Sequence, residues 1–209
     1  MDPLVTALAV LGAITFVLVA VLVLRPNLLE RRGGKVIAFV AFFILPLGVT
    51  ALGTAAHLEN AKSTEFCVSC HVMEPYGDSM MFDDLSYLPA AHYQNHWMPP
   101  DRACYSCHTQ YTMFGDVEAK MKGLQHVWVY YFGAPLEPGD IELYDPYENR
   151  ECLHCHAGAR SYEENEMHVD IVTELTAGEI SCLDCHSEIH AAAEAADLPK
   201  WQPEGDGDV

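Results

Sequence analysis

The sequence predicts a mainly α-helical chain with much irregular structure and little or no β-sheet. Two N-terminal transmembrane helices precede a domain organised by one repeated cysteine motif. Three observations carry this. The stretches Leu4 to Leu24 and Val36 to Ala56 hold no charged residue and run 21 residues each. All eight cysteines fall into four copies of C-x-x-C-H. Prolines punctuate the connections after residue 57, at Pro89, Pro99, Pro100, Pro135, Pro138 (followed by Gly139) and Pro146, and such punctuation breaks up regular structure.

The two apolar stretches match the ~20 residues that cross a ~30 Å hydrocarbon core. The first is no ordinary signal peptide, because Met1, Asp2 and Pro3 supply no positive charge and its apolar part is too long. Pro46 and Gly48 bend the second helix, a distortion that membrane helices tolerate. The loop over 25–35 carries Arg25, Arg31, Arg32 and Lys35 against Glu30 alone. Basic loops stay cytoplasmic, so everything beyond residue 57 belongs on the outer face of the membrane. The domain plan is therefore an anchor over 1–57, a cofactor domain over 58–198 and an acidic tail over 199–209. That tail, from Pro199 to Val209, reads as frayed or held by a partner.

The cysteine copies are Cys67, Cys70 and His71, then Cys104, Cys107 and His108, then Cys152, Cys155 and His156, and last Cys182, Cys185 and His186. Two cysteines three apart also suit zinc or a disulfide. A histidine directly after the second cysteine, in every copy and with no cysteine left over, instead marks covalent haem attachment. Two thioethers clamp the porphyrin, and the histidine becomes an axial ligand of its iron. Four haem c groups are expected, and attachment of c-type haem belongs on the outer side of the membrane, in agreement with the loop charges. About 38 residues per haem leave no room for an ordinary side-chain core, so the porphyrins supply most of the buried apolar surface. Short helices are expected to carry all four motifs, from Cys67 through Cys185, with irregular connections between them.

Four irons need eight axial positions. Beyond the motif histidines, the candidates are His57, His92, His96, His126, His154, His168 and His190. His154 lies inside its own motif, and His57 sits where the second membrane helix emerges. Met73, two residues after His71, is a candidate thioether ligand, which raises a haem's potential relative to two histidines. From Asp116 to Phe132, apolar residues recur at Val117, Met121, Leu124, Trp128 and Tyr131, a helical stripe. Lys120 and Lys122 fall between them, and aromatics crowd the end. That combination suits either a membrane–water interface or packing against haem edges.

Beyond residue 57 lie seven of the 11 Lys+Arg and 28 of the 30 Asp+Glu, a formal −21. A surface so acidic excludes nucleic acid as a partner. It fits either steering of a basic redox protein or a general solubility adaptation.

The run Thr64-Glu65-Phe66-Cys67-Val68-Ser69-Cys70-His71-Val72-Met73 resembles the first-haem signature of the NapC/NirT/NrfH family of membrane-anchored tetrahaem quinol dehydrogenases. His92-Tyr93-Gln94-Asn95, Met167-His168 and His190 are similar to further family segments, and the resemblance covers residues 36 to 198. It implies Met73 as a ligand of the first haem, with His71 either sharing that iron or displaced from it. It implies His92, His168 and His190 as the sixth ligands of the other three, opposite His108, His156 and His186 in an order left open. It further implies a quinol site beside the first haem, built from a lysine and a carboxylate. Lys120 or Lys122 matches the lysine. Where the family has its acid, this chain has Gln125 and His126. Either His126 takes the quinol proton, or Glu118, Asp83 or Asp84 does, or His126 binds the first iron.

The first membrane helix and the acidic, Pro-rich run from Ala134 to Tyr147 depart from the family pattern. The activity implied is quinol oxidation at the outer face of the cytoplasmic membrane, with electrons passed to a periplasmic redox enzyme, such as a nitrite or nitrate reductase, in a hetero-oligomeric complex. Two alternatives share the residues. The site runs in reverse as a quinone reductase, or the chain is a haem wire without its own quinol site. A terminal reductase is disfavoured, because no motif histidine is replaced.

Overall fold

The computed structural model describes residues 3–134, 137, 141 and 146–203. The chain divides into two compact units, Met1–Ala61 and Lys62–Val209. Among the described residues every regular element is helical, apart from a single isolated bridge between Phe82 and Lys200.

In the first unit, α1 spans Pro3–Leu24 and a 3-10 turn follows over Pro26–Glu30. A second apolar helical run extends from Arg32 to Asn60, as α2 (Arg32–Phe39), a π turn (Val40–Ile44) and α3 (Leu45–Asn60). Both runs are long and apolar enough to cross a membrane. Just upstream of Pro46 the helix widens into the π turn. A proline has no N–H for the carbonyl four residues back and its ring crowds that carbonyl; one extra residue in the preceding turn relieves both. Leu22 and Ala41 are buried where α1 packs along the second run. Gly34 is obligatory here, because a Cβ at that position would lie 1.7 Å from the Leu28 carbonyl oxygen.

The second unit is a succession of short helices: α4 (Thr64–Val68), α5 (Glu74–Asp78), α6 (Leu88–Gln94), α7 (Ala103–Cys107), α8 (Gly115–Phe132), α9 (Asn149–His156), α10 (Arg160–Glu163), α11 (Glu166–Asp170) and α12 (Val172–Ala177). Three cysteine motifs start on helices, α4, α7 and α9. The fourth corrects the expectation that every motif rides on a helix. Its first cysteine opens a 3-10 turn, Cys182–Asp184, and Cys185 lies just beyond it. The reason is a capping box in which Ser181 accepts from Leu183 N while Asp184 turns back to accept from Ser181 N, closing the turn on itself. Cys185 follows as the C-cap at φ −109°, ψ −35°, its N–H donating to Cys182 O at 3.4 Å. Gly178 ends α12 with φ 73°, the left-handed conformation a glycine takes without strain.

Among the described residues, side chains alone form two small clusters: Met80, Met98 and Ala103, and then Phe82, Ala90 and Ala195. Cross-links do the rest. Thr64 on α4 donates its hydroxyl to Pro100 O (2.8 Å) and accepts from Ala103 N (2.8 Å), tying the first motif to the second. Glu151 on α9 is buried and accepts from Tyr111 N (2.9 Å), tying the second to the third. Asn149 donates to Leu175 O and Ile180 O (2.9 and 2.6 Å) and accepts from Cys182 N (2.8 Å), tying the third to the fourth.

The start of the C-terminal tail is docked rather than frayed. Asp83 N donates to Pro199 O (2.9 Å), Trp201 N donates to Met81 O (2.7 Å), and Lys200 pairs with Asp78. Residues 204–209, like Pro135, Pro138 and Gly139, lie outside the described residues.

Asn149→Ala removes three hydrogen bonds between the third and fourth motifs and is expected to cost about 3 kcal/mol. A fall in the thermal midpoint of the haem-loaded protein, followed by circular dichroism, reads it directly.

Candidate redox site

The cysteine motifs meet in sequence order. The Cys67 and Cys104 thiols are hydrogen-bonded to each other, and so are those of Cys152 and Cys182. Between these pairs, the charge of Cys155 is felt at Cys107. A hydrogen bond from the Cys67 thiol lowers the Cys104 thiol to about 7, and the same bond pushes Cys67 up. The two cysteines of a motif differ consistently. The first of each, Cys67, Cys104, Cys152 and Cys182, is half-buried, while the second, Cys70, Cys107, Cys155 and Cys185, is exposed. Cys185 thus keeps the exposure of its counterparts although its motif has lost the helix, and its charge is felt at Cys182. No disulfide joins any of the eight, so every thiol is available for a thioether.

The histidines carry the most specific geometry. Three pairs of rings face each other: His108 with His190 at 6.0 Å between centroids, His92 with His156 at 5.9 Å, and His168 with His186 at 6.2 Å. A metal-bound imidazole nitrogen lies about 2 Å from its metal and the ring centroid about 3 Å, so two imidazoles on opposite sides of one iron have centroids about 6 Å apart. All three spacings fit an iron between the rings, and each pair joins one motif histidine to one histidine from elsewhere. The interplanar angles differ: 17°, 80° and 48° respectively.

The non-motif rings are anchored through Nδ1, which leaves Nε2 for the partner side. His92 Nδ1 pairs with Leu88 O (2.8 Å), His168 Nδ1 with Tyr162 O (3.3 Å) and His190 Nδ1 with Ser79 Oγ (2.8 Å). Burial lowers His190 to about 4, which keeps it in the neutral form that coordinates metals. Of the five histidines outside these pairs, three stand apart from the rest. His154 stacks flat on Tyr111 (3.7 Å, 6°), His96 is exposed with φ 56°, and His57 sits near the end of α3.

Met73 ends a 3-10 turn that begins at His71, and His71 faces Tyr130 of α8 edge-on at 6.2 Å. The start of α8 brings two lysines together. Lys120 Nζ lies over the Tyr105 ring at 4.9 Å, and Lys62 Nζ over the same ring at 5.5 Å. Asp116 pairs with Lys62 (2.9 Å) and accepts from the Tyr105 hydroxyl (2.6 Å). The Lys120 charge is felt at Cys67, which puts this cluster beside the first motif.

Asp116, Tyr105 and Lys62 were not among the sequence candidates. Asp116 falls at the first turn of α8 and reads as a helix start, yet its i,i+4 spacing to Lys120 was a usable signal. The Tyr105 hydroxyl, then Lys62, hold the Asp116 carboxyl below its ordinary value. Of the proposed acids, the Asp84 carboxylate accepts from Ser86 N, Asp83 bonds Pro199 O through its backbone N–H only, and Glu118 is an exposed residue of α8. Desolvation lowers His126, and its charge is felt at His108, so it lies near the second motif. Lys122 lies on the same helix, two residues from Lys120. An open cavity of about 540 Å³ borders Asp116 and Tyr105 and is completed by Arg102, Gln110, Tyr111 and His154.

Repeated C-x-x-C-H motifs with paired imidazoles define a c-type cytochrome, a carrier of covalently bound haem. The match to known proteins is more specific. Residues 31–195 match the model of the NapC/NirT cytochrome c family, N-terminal region, and the chain belongs to that family. It is 25% identical over 147 residues to the cytochrome c-type protein NapC of Paracoccus pantotrophus, covering 63% of this chain and 59% of that protein. It is 25% identical over 191 residues to the NapC of Haemophilus influenzae, covering 79% of this chain and 89% of that protein. No solved structure matches.

The Tyr105–Asp116 bond is open to titration. Asp116 has a lowered folded value, so its contribution to stability is full above its ordinary 3.8 and is lost as pH falls through the folded value. The side chain is mostly exposed, so that contribution stays below about 1 kcal/mol. Tyr105→Phe removes the largest cause and is expected to raise the Asp116 titration midpoint, read by carboxyl carbon NMR.

Proposed function

We propose that this chain is a membrane-anchored tetrahaem cytochrome that oxidises quinol at the outer face of the cytoplasmic membrane and delivers electrons to a periplasmic redox enzyme. The basic loop over 25–35 supports that topology. Both relatives are cytochrome c-type proteins of the NapC kind, in keeping with a partner that reduces a small nitrogen oxyanion.

The ring pairs support an assignment of the axial ligands of three irons. His108 and His190 hold the second, His92 and His156 the third, His168 and His186 the fourth, with Met73 and His71 left to the first. The thioethers follow the motifs, from Cys67 and Cys70 on the first haem to Cys182 and Cys185 on the fourth. Each haem supplies a one-electron couple. A series arrangement of those couples is supported by the thiols, which are hydrogen-bonded between the first and second motifs and between the third and fourth, with the charge of Cys155 felt at Cys107 between them.

The lysine pair over Tyr105 carries the quinol reading. Lys120 offers an ammonium next to the first motif, where it hydrogen-bonds a quinol oxygen and favours loss of its proton. Asp116 stays ionised, holds Lys62 and the Tyr105 hydroxyl, and leads the proton towards the exposed surface. This aspartate takes the place in the reading that sequence reasoning gave to His126 or to Glu118, Asp83 or Asp84. The exposed stripe of Val117, Met121, Leu124, Trp128 and Tyr131 lays α8 on the membrane surface, where quinol arrives.

In proteoliposomes given a menaquinol analogue, the haem α-band is expected to grow rapidly and to be blocked by a quinol-site inhibitor. Lys120→Ala should slow this at least tenfold while dithionite still reduces every haem. Equal quinol-driven rates in the two proteins would sink the quinol site proposed here. For the ligand assignment, His92→Ala, His168→Ala and His190→Ala are each expected to convert one haem to high spin, seen by electron paramagnetic resonance. A variant that stays fully low-spin removes its histidine from the ligand set.

A further inference from the structure

Of the three anchored distal histidines, two rest on backbone carbonyls alone, while His190 adds a side-chain hydroxyl to a bond with the Tyr76 backbone. His92 and His168 use Leu88 O and Tyr162 O. His190 uses the hydroxyl of Ser79, which lies between the first and second motifs. Ser79 has no exposed surface, a burial matched among the described polar side chains by none. A buried hydroxyl is retained where both its donor and its acceptor capacity are used. The Ser79 proton goes to Tyr76 O at 2.6 Å, so its lone pairs face Nδ1 and accept the proton of the imidazole. Nδ1 therefore carries the hydrogen and Nε2 is bare, with the His108 ring 6.0 Å away between centroids.

The surroundings hold that serine in place. Gln94 donates to Met80 O and Phe82 O (3.1 and 2.8 Å), Trp201 N donates to Met81 O, and Lys200 pairs with Asp78. The Tyr76 ring packs edge-on against His190 at 5.3 Å. The serine is pinned from α6 and from the C-terminal segment alike. The ring it anchors is the one lying nearly parallel to its partner, at 17°.

We propose that Ser79 is a positioning residue for the second haem, fixing the tautomer and ring plane of His190 and, through the hydrogen bond to Nδ1, setting that haem's reduction potential. This rests on the ligand assignment made above. An acceptor on Nδ1–H makes the imidazole a stronger donor to iron and favours the oxidised state. Removing it therefore raises the potential. Near-parallel imidazole planes give a rhombic low-spin signal, and rotation of one plane towards the perpendicular makes that signal more anisotropic.

The experiment is a redox titration of the purified, haem-loaded chain, followed optically and by electron paramagnetic resonance. In Ser79→Ala one haem is expected to shift its reduction equilibrium by about tenfold towards the reduced form, about 59 mV for one electron. Its rhombic signal should broaden, while the other haems hold their potentials. Ser79→Thr, which keeps the hydroxyl, should return both readouts towards the parent. If Ser79→Ala does not load four haems, Ser79→Cys, a weaker acceptor in the same place, should shift the same haem in the same direction by less. Unchanged potentials and signals in the loaded variant overturn the proposal. His190→Ala separates the two levels of inference. If it leaves every haem low-spin, the ligand assignment has failed. If it converts one haem while the serine variants change nothing, only the role of Ser79 has failed.

Discussion

The second unit is organised around one recurring spacing, ~6 Å between paired imidazoles, the distance that two such rings on one metal would have. Three ring pairs meet it within a few tenths of an ångström. Short helices of four to eight residues have little intrinsic stability, because a helix nucleus costs more than one turn returns. They also bury little against one another, as the two small apolar clusters show. Position is instead imposed by cross-links of defined geometry: Thr64 between α4 and α7, Glu151 between α9 and the loop after α7, Asn149 between α9 and the fourth motif. Each uses a polar group that is costly to leave unpaired, so a displaced motif loses several bonds at once.

The first unit answers to a different solvent. Its helices expose apolar side chains along most of their length, as lipid requires, and satisfy their backbone groups internally. The π turn over Val40–Ile44 is that rule at work around Pro46. The helix widens by one residue and continues, so no break opens in the apolar run.

What the sequence made legible was local. The apolar runs, the four C-x-x-C-H copies and the stripe of α8 are patterns within about twenty residues; the second apolar helix runs longer than its pattern, from Arg32 to Asn60, and α8 begins one residue earlier at Gly115. The backbone under the fourth copy was less legible. Cys182 to Cys185 repeats the spacing of the helical motifs, but Ser181 and Asp184 around it close a turn before a helix can form. The pairing of histidines was illegible for a physical reason. His190 meets His108, and His92 meets His156, through contacts that leave no periodicity behind. Tyr105 was hidden inside a motif whose cysteines and histidine drew the attention. Lys62 and Asp116 are single charges in a chain rich in them, and only the fold makes them neighbours. The docking of Pro199–Trp201 was missed because a short acidic tail with prolines looks alike whether free or held through its backbone.

The pairing pattern itself has a consequence for how such a domain assembles. The segment between the first and second motifs supplies both His92, which faces the third motif histidine, and Ser79, which holds the ring facing the second. The segment after the fourth motif supplies His190, which returns to the second. Only His168 and His186 are near neighbours in sequence. A chain that stops before the fourth motif therefore leaves the second pair incomplete, and the last residues described close over the turn that carries Ser79. Interleaving of this kind makes the ring pairs interdependent. A change that frees the C-terminal segment acts on the second motif through Ser79 and His190, far from it in sequence, before it disturbs the nearer third.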